Sequence, residues 1–343
     1  MTRSIRTARC HRLVQSTADL ELLLDTVELA EPGPGEVQVE LRACAVNFPD
    51  VLMLQGKYQF RPPLPFAPGD EASGVVTRLG EGVKNLAVGD RVVVAMRYGA
   101  YSDAVNAPAT SVNRLPDAMS FAQGAAFQTA YMTAYVGLVV RGGIRAGEWV
   151  MVHGATGGVG MAAVDLAKHY GARVIATGGS DDKLAVVAAR GADHVINYTL
   201  PDGRLGGFRE RVKEITSTGG ADLILDPVGG DVFDESMRCV NFGGRILTIG
   251  FTSGRWPQAA VNLILIKEIS IIGVRAGEIG RRHPEIGRAN RQALRELANS
   301  GAISPHVSIA RPLEEAIEVM HLMVDRKVTG KAVLTMNGYE MQT

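Results

Sequence analysis

The run Trp149-Val150-Met151-Val152-His153-Gly154-Ala155-Thr156-Gly157-Gly158-Val159-Gly160 sets small residues where a backbone can come close to a large, negatively charged ligand. β-prone apolar residues lead directly into the glycines, and an Ala/Leu-rich stretch from Met161 to Tyr170 follows. The pattern reads as strand, tight turn and helix, the context in which a dinucleotide-binding glycine motif acquires meaning. Gly157 would let the backbone approach a pyrophosphate, whose charge is favoured by first-turn amides and the helix dipole. Gly160 would let the helix pack closely on the strand. Gly154, Ala155, Thr156, Gly157, Gly158, Val159 and Gly160 are therefore candidate phosphate-binding residues. Ala155 stands where the motif usually has its first glycine.

The elements needed to position such a turn follow it. Ala172–Thr177 reads as a second strand, Asp182–Arg190 as a helix, His194–Ile196 as a third strand and Phe208–Thr216 as a helix. Asp222–Leu225, Arg245–Ile249 and Ser270–Val274 read as further strands, with a helix at Val232–Val240. Near-continuously apolar strands alternating with helices imply a parallel sheet covered on both faces. The fold class expected is α/β, a doubly wound Rossmann sheet; a parallel sheet without nucleotide is the alternative, and the glycine placement argues against it. Ligands in such sheets bind at the carboxyl ends of the strands. That rule adds Gly178, Pro227, Val228, Gly250, Phe251, Ser253, Val274 and Arg275 to the cofactor-binding candidates.

The flanking regions differ in texture. Up to about residue 120, short alternating strands are punctuated by Glu31-Pro32-Gly33-Pro34-Gly35, Ala67-Pro68-Gly69-Asp70 and Val88-Gly89-Asp90, the signature of an antiparallel β unit. Ser120–Val140 is apolar and helix-compatible, and would bridge the two regions. After residue 275 come a helix, a strand, a helix and a final strand with no sheet of their own, so they are expected to return to the β unit. The expected division is 1–124 for the first part of a β-rich catalytic domain, 125–275 for the nucleotide-binding domain inserted in it and 276–343 for the second catalytic part.

Composition narrows the function classes. The 343 residues suit about two domains, and 46% hydrophobic residues permit sizeable cores. Formal net charge is zero, which argues against nucleic-acid and anionic-membrane surfaces. No apolar run is long enough to span a bilayer. The N-terminus is positively charged without an apolar core, so no secretion is expected. The scattered Cys10, Cys44 and Cys239 form no disulfide framework and suit a reducing cytoplasm.

Several motifs in chain order resemble one family: Val46-Asn47-Phe48-Pro49-Asp50, Pro63-Leu64-Pro65-Phe66-Ala67-Pro68-Gly69, Val88-Gly89-Asp90-Arg91-Val92, the glycine turn itself, Gly191-Ala192-Asp193-His194, Asp226-Pro227-Val228-Gly229-Gly230, and Thr329-Gly330-Lys331-Ala332-Val333-Leu334. Together they are similar to the zinc-independent quinone oxidoreductase branch of the medium-chain dehydrogenase/reductases. The resemblance implies a GroES-like catalytic domain, a Rossmann domain, a cleft between them, and a dimer or tetramer.

Zinc-dependent members of that superfamily have Cys where Asn47 stands and His–Glu where Asp70-Glu71 stands. Catalytic zinc needs three thiolate, imidazole or carboxylate ligands. Asn47 is a poor ligand, and the four-cysteine lobe of the zinc enzymes is missing around Arg97–Asp103. The expectation is a site without metal. An NAD-preferring fold offers Asp or Glu at the end of its second strand to accept from the ribose 2′-hydroxyl. Here that strand ends Ala176-Thr177-Gly178-Gly179-Ser180. The resemblance implies that Ser180, Lys183 and Tyr198 hold the 2′-phosphate of NADPH, and that Thr133 lies near the nicotinamide.

Hydride chemistry belongs to the nicotinamide, and the protein positions donor and acceptor. Asn47, Tyr58 and Arg275 are the catalytic candidates. The Asn47 amide would hydrogen-bond the substrate carbonyl or the ribose; the Tyr58 phenol, matching a cleft-lining tyrosine of the family, would polarise a carbonyl or donate a proton. Tyr58 as a loop aromatic packed on the β unit is the competing reading. The histidines, His11, His153, His169 and His194 among them, form no catalytic or metal spacing. The function expected is NADPH-dependent reduction of a quinone or other conjugated carbonyl. The alternatives are reduction of an activated C=C in enoyl thioesters or acrylates, which Arg275 favours by holding an anion, and a non-enzymatic NADPH-binding protein. The last apolar strand, Ser270–Val274, leaves a sheet edge that monomers manage poorly, so a homodimer is expected.

Overall fold

β1 (Arg3–Arg9) and β2 (Leu23–Leu29) pair antiparallel as a ribbon of their own. The main sheet of this part begins with β3 (Glu36–Val46), whose eleven residues are almost all buried. α1 (Phe48–Leu54) follows, with Pro49 in its first turn, where a missing N–H costs nothing. Then come β4 (Glu71–Leu79), β5 (Arg91–Ala95), β6 (Ala104–Pro108), β7 (Val112–Arg114) and the short α2 (Phe121–Ala125). A computed structural model describes residues 2–341 of the chain.

The Rossmann region opens with α3 (Gln128–Tyr135), continued by a π-helical stretch over Val136–Arg141. The helix-compatible segment from Ser120 onward is thus three pieces, α2, α3 and the π-helical stretch. β8 (Trp149–Val152), α4 (Gly158–His169), β9 (Arg173–Gly178), α5 (Asp181–Ala189) and β10 (His194–Asn197) form its first half. α6 (Arg209–Thr216), β11 (Ala221–Asp226), α7 (Gly230–Cys239), β12 (Val240–Thr248), α8 (Val261–Lys267) and β13 (Ser270–Gly273) form the second. The strands order as β10-β9-β8-β11-β12-β13, and every pairing is parallel. This is the doubly wound order with its switch point between β8 and β11. Val150, Met151 and Val152 of β8 and Leu223, Ile224 and Leu225 of β11 are fully buried. Two helices, α9 (Ala276–Arg282) and α10 (Pro284–Asn299), end the region.

The chain then returns to the first sheet. β14 (Val307–Pro312), α11 (Ala316–Val324) and β15 (Lys331–Thr335) follow, and β15 inserts between β14 and β3 to give the order β14-β15-β3-β4-β5-β7, with β6 also on β3. By contacts the chain divides into one unit that runs to Thr129 and resumes at Ser304, and a second spanning Ala130–Ile303. The sequence reading had assigned 276–303 to the catalytic part. Its helices α9 and α10 pack on each other and count with the Rossmann unit. The sequence reading had found only the later of them, from Arg288 to Asn299, and its pattern did not say which sheet it served. No helix among the described residues is long and apolar enough to cross a membrane.

Candidate functional site

The glycine turn sits at the carboxyl end of β8. Gly154 adopts φ +54°, and a Cβ there would lie 3.3 Å from the Val228 side chain. A Cβ on Gly160 would come within 2.3 Å of the Gly154 carbonyl oxygen and 2.6 Å of the Ala155 Cα, so only glycine allows α4 to pack this closely. Gly157 caps α4 with no side-chain hydrogen bond to the helix. The first-turn amides of Gly158, Val159 and Gly160 have no partner inside the helix and face the entry to it. Ala155 N–H is spent on Thr177 O at 3.0 Å, tying the turn to β9. Ala155 is fully buried and Thr156 half-buried, its methyl against Gly178. The turn is a built cradle for an anionic ligand.

The proposed 2′-phosphate residues come together at the ends of β9 and β10. Ser180 caps α5 with its hydroxyl unused by the cap, and Lys183 lies in the first turn, half-buried. Burial pulls the Lys183 ammonium below its ordinary range. Tyr198 N–H donates to Gly178 O at 3.1 Å, which brings its segment beside Ser180, and its ring packs with Phe208 at 6.2 Å between centroids. Asp181 and Asp182 are exposed in the same turn.

The remaining strand ends are cross-linked. Asp226, fully buried at the end of β11, accepts from Val228 N–H at 2.8 Å and Gly229 N–H at 2.9 Å through Oδ1. Its Oδ2 is buried without a hydrogen-bond partner, and burial pushes the carboxyl up to about 6. Thr252 N–H and Ser253 N–H donate to Pro227 O and Val228 O, so the Gly250–Ser253 loop is held against the Pro227 turn. Phe251 is half-exposed above Gly229. Val274 is buried and bonded to Thr248 O. Arg275 precedes α9 with its side chain 61% exposed, and its ion pair with Glu278 is long, 3.9 Å. Glu278 serves chiefly Arg282 and Arg281.

The other unit contains a buried polar cluster that the sequence disclosed only in part. Asn47 Nδ2 donates to Asp70 Oδ1 at 2.8 Å and to Glu71 Oε1 at 3.0 Å. Lys331 Nζ, from the first residue of β15, donates to Asn47 Oδ1 and to Glu71 Oε1, the latter at 3.0 Å. Thr129 donates through N to Glu71 Oε2 at 2.8 Å and through Oγ1 to Asp70 Oδ2 at 3.3 Å. Asp50 accepts from Asn47 N–H at 2.8 Å, Gly69 N–H at 3.0 Å and Tyr101 OH at 3.3 Å. Asp50, Glu71, Lys331 and Asn47 are all buried. Burial, and then the neighbouring Asp70, drives the Asp50 carboxyl above its ordinary range; burial, and then Glu71, does the same to Asp70.

This arrangement corrects one expectation. Both Asn47 amide hydrogens are taken by carboxylates, so Asn47 has none to give a substrate carbonyl. What it retains is an acceptor position on Oδ1. Lys331, Thr129 and Asp50 were not singled out from sequence, because nothing in their local spacing shows that residues 47, 71 and 331 meet. Tyr58 follows α1 half-buried against the core, and Thr133 is half-buried in α3. His153 is fully buried between Thr177 Oγ1 and Ser236 Oγ, each at 2.7 Å, and burial lowers it to about 3. Ser236 gives its own proton to Val232 O, so His153 carries its hydrogen on Nε2 and stays neutral. The donors around Asn47 do not fit zinc: an amide, hard carboxylates and an ammonium fill the space, and no metal-holding group of His, Cys, Asp or Glu occurs among the described residues.

Residues 33–141 match the model of the alcohol dehydrogenase GroES-like domain, and residues 158–297 match that of the zinc-binding dehydrogenase. The chain is 34% identical over 335 residues to quinone oxidoreductase-like protein 2 of Mus musculus, covering 97% of this chain and 93% of that one. A mycobacterial protein solved in complex with NADPH superposes with TM-score 0.84 at 28% identity, over 96% of this chain and 99% of that one. The CurK enoyl reductase superposes with TM-score 0.85 at 25% identity, over 97% and 99%. The chain belongs to the medium-chain dehydrogenase/reductase superfamily, oxidoreductases built on a nicotinamide-binding Rossmann sheet and a GroES-like domain. Within it, the chain falls in the quinone oxidoreductase branch.

Proposed function

We propose that this protein is an NADPH-dependent reductase that delivers hydride to a quinone or another conjugated carbonyl acceptor, without zinc. The observation that carries the reading is the glycine cradle at β8, joined to a β9 end that offers Ser180, Lys183 and Tyr198 where an NAD site would offer a carboxylate. When bound, the nicotinamide supplies the hydride. The chain's own residues bind and orient: the first-turn amides of α4 take the pyrophosphate, Lys183 and Ser180 the 2′-phosphate, and the Pro227 and Gly250–Ser253 turns border the nucleotide. Arg275, just past the end of β13, is the side chain that the Rossmann unit offers to the acceptor. The naming of the mouse relative as quinone oxidoreductase-like, and NADPH in the mycobacterial neighbour, support the reading.

Reduction of an activated C=C is the second reading, favoured by the exposed, weakly paired Arg275 guanidinium, which suits an anionic acceptor, and by the enoyl reductase neighbour. A panel of quinones, enones, enoyl thioesters and acrylates assayed with NADPH and NADH, alongside zinc analysis of the purified protein, tests all of this. Turnover confined to C=C acceptors would replace the first reading with the second. No turnover with any acceptor, despite tight NADPH binding, would leave a non-enzymatic binding protein. One zinc per chain would refute the metal-free site.

A further inference from the structure

The Asn47 cluster holds three carboxylates, Asp50, Asp70 and Glu71, and one cation, Lys331. Two ionised carboxylates this close repel, and burial adds the cost of desolvation, so a compensating charge inside the cluster decides how many protons it holds. Lys331 is 6% exposed, a degree of burial lysine almost never reaches without partners. Its Nζ lies between the Asn47 carbonyl and Glu71, and its backbone N–H is fixed on His306 O of the segment before β14 at 2.9 Å. The groups that face it from surrounding elements are Glu71 of β4, Asp70 just before it, Asp50 of α1 and the thiol of Cys44 on β3.

An amide can sit in either of two orientations, and its neighbours choose. With the ammonium on one side and two carboxylates on the other, only one orientation of Asn47 satisfies every partner: Oδ1 toward Lys331, Nδ2 toward Asp70 and Glu71. Rotation by half a turn would set N–H against N–H and oxygen against oxygen.

We propose that Lys331 is a positioning residue of the reductase: it fixes the orientation of the Asn47 amide and balances the charge of the Asp70–Glu71 pair. The inference rests on the metal-free reading above.

Lys331→Met, Lys331→Arg and the double variant Glu71→Gln/Lys331→Met provide the test. Infrared titration of the protein without nucleotide reads buried carboxyl protonation directly. Losing the ammonium should move that titration upward by about 1–3 pH units, the range an opposite charge at this distance sets. The acid limb of kcat should move the same way in Lys331→Met. Lys331→Arg should restore most of both. The double variant, with one charge of each sign removed, should titrate closer to wild type than Lys331→Met; if Lys331→Met fails to fold, the Arg and double variants decide. A Lys331→Met protein with the wild-type carboxyl titration and pH profile overturns the inference, as does a double variant shifted as far as the single one. Stoichiometric zinc in the wild-type protein overturns the metal-free reading instead, and is measured separately.

Discussion

Lys183→Ala is the sharpest probe of cofactor choice. In the structure Lys183 lies in the first turn of α5, three residues beyond the cap Ser180, and Tyr198 reaches the same place through the hydrogen bond of its N–H to Gly178 O. Burial draws the Lys183 ammonium below its ordinary range, and a 2′-phosphate beside it would favour the charged form. A charge-assisted hydrogen bond contributes about 1.5–3 kcal/mol. That corresponds to roughly ten- to a hundredfold in affinity. NADH has no 2′-phosphate, and its binding by the α4 turn should be unaffected. The measurement is fluorescence titration with NADPH and NADH, in wild type and in Lys183→Ala, at fixed ionic strength. Because the bound ammonium is stabilised as a cation, NADPH affinity should also fall as pH rises through the Lys183 range in wild type only. Equal losses for both nucleotides, or none for either, would refute the clamp and return Lys183 to an ordinary half-buried helix residue.

Other expectations follow from the same geometry. Asp226 sits near 6 in the fold against an ordinary 3.8, so the folded state holds its proton more tightly and stability is lost as pH rises between those values. That loss is worth up to about 3 kcal/mol. Urea denaturation of Asp226→Asn should lack this slope, and curves that run parallel to wild type would count against it. Arg275→Ala should raise KM for acidic acceptors and spare neutral quinones, since a charged partner left unsatisfied costs more than a lost neutral contact; a uniform effect would assign Arg275 to structure or cofactor. The homodimer proposed from the β13 edge finds support in α8, where Val261, Leu265 and Ile266 are 74%, 78% and 68% exposed. Light scattering should give twice the chain mass, falling to the monomer in Leu265→Asp; a monomeric wild type would refute it.

The parallel sheet was legible from its apolar strands, and the β8 turn from its glycines, because both are local patterns. Gly160 is the clearest case, since the steric demand that the motif encodes is the 2.3 Å approach to the Gly154 carbonyl. The return of the C-terminal strands to the first sheet followed from their having no other sheet to join, and β15 beside β3 agrees. α9 went unread in the sequence, and the membership of α10 was not legible, since an amphipathic helix fits either neighbour. Nor was the partnership of Asn47 with Lys331: 284 residues separate them, and neither residue announces a buried ion. Asn47 itself was found through family resemblance, and the structure then showed its hydrogens already spent. α8 escaped notice because Leu263 and Ile264 pack on the core while Val261, Leu265 and Ile266 face outward, so its apolar residues mark no single face.

The placement of β15 between β14 and β3 has a consequence for the order in which this protein is made. Strands β3 to β7 leave the ribosome early, yet the sheet they form stays open along β3 until residues 331–335 arrive. The Rossmann unit, contiguous over Ala130–Ile303, needs nothing synthesised later and can close first. Lys331 opens that last strand, so the carboxylates of the Asn47 cluster have no cation until the sheet is sealed. Sealing the sheet and neutralising the cluster are one event. A chain cut short before residue 331 loses both together, and presents an unpaired β3 beside uncompensated charge, the kind of nascent product that quality control removes.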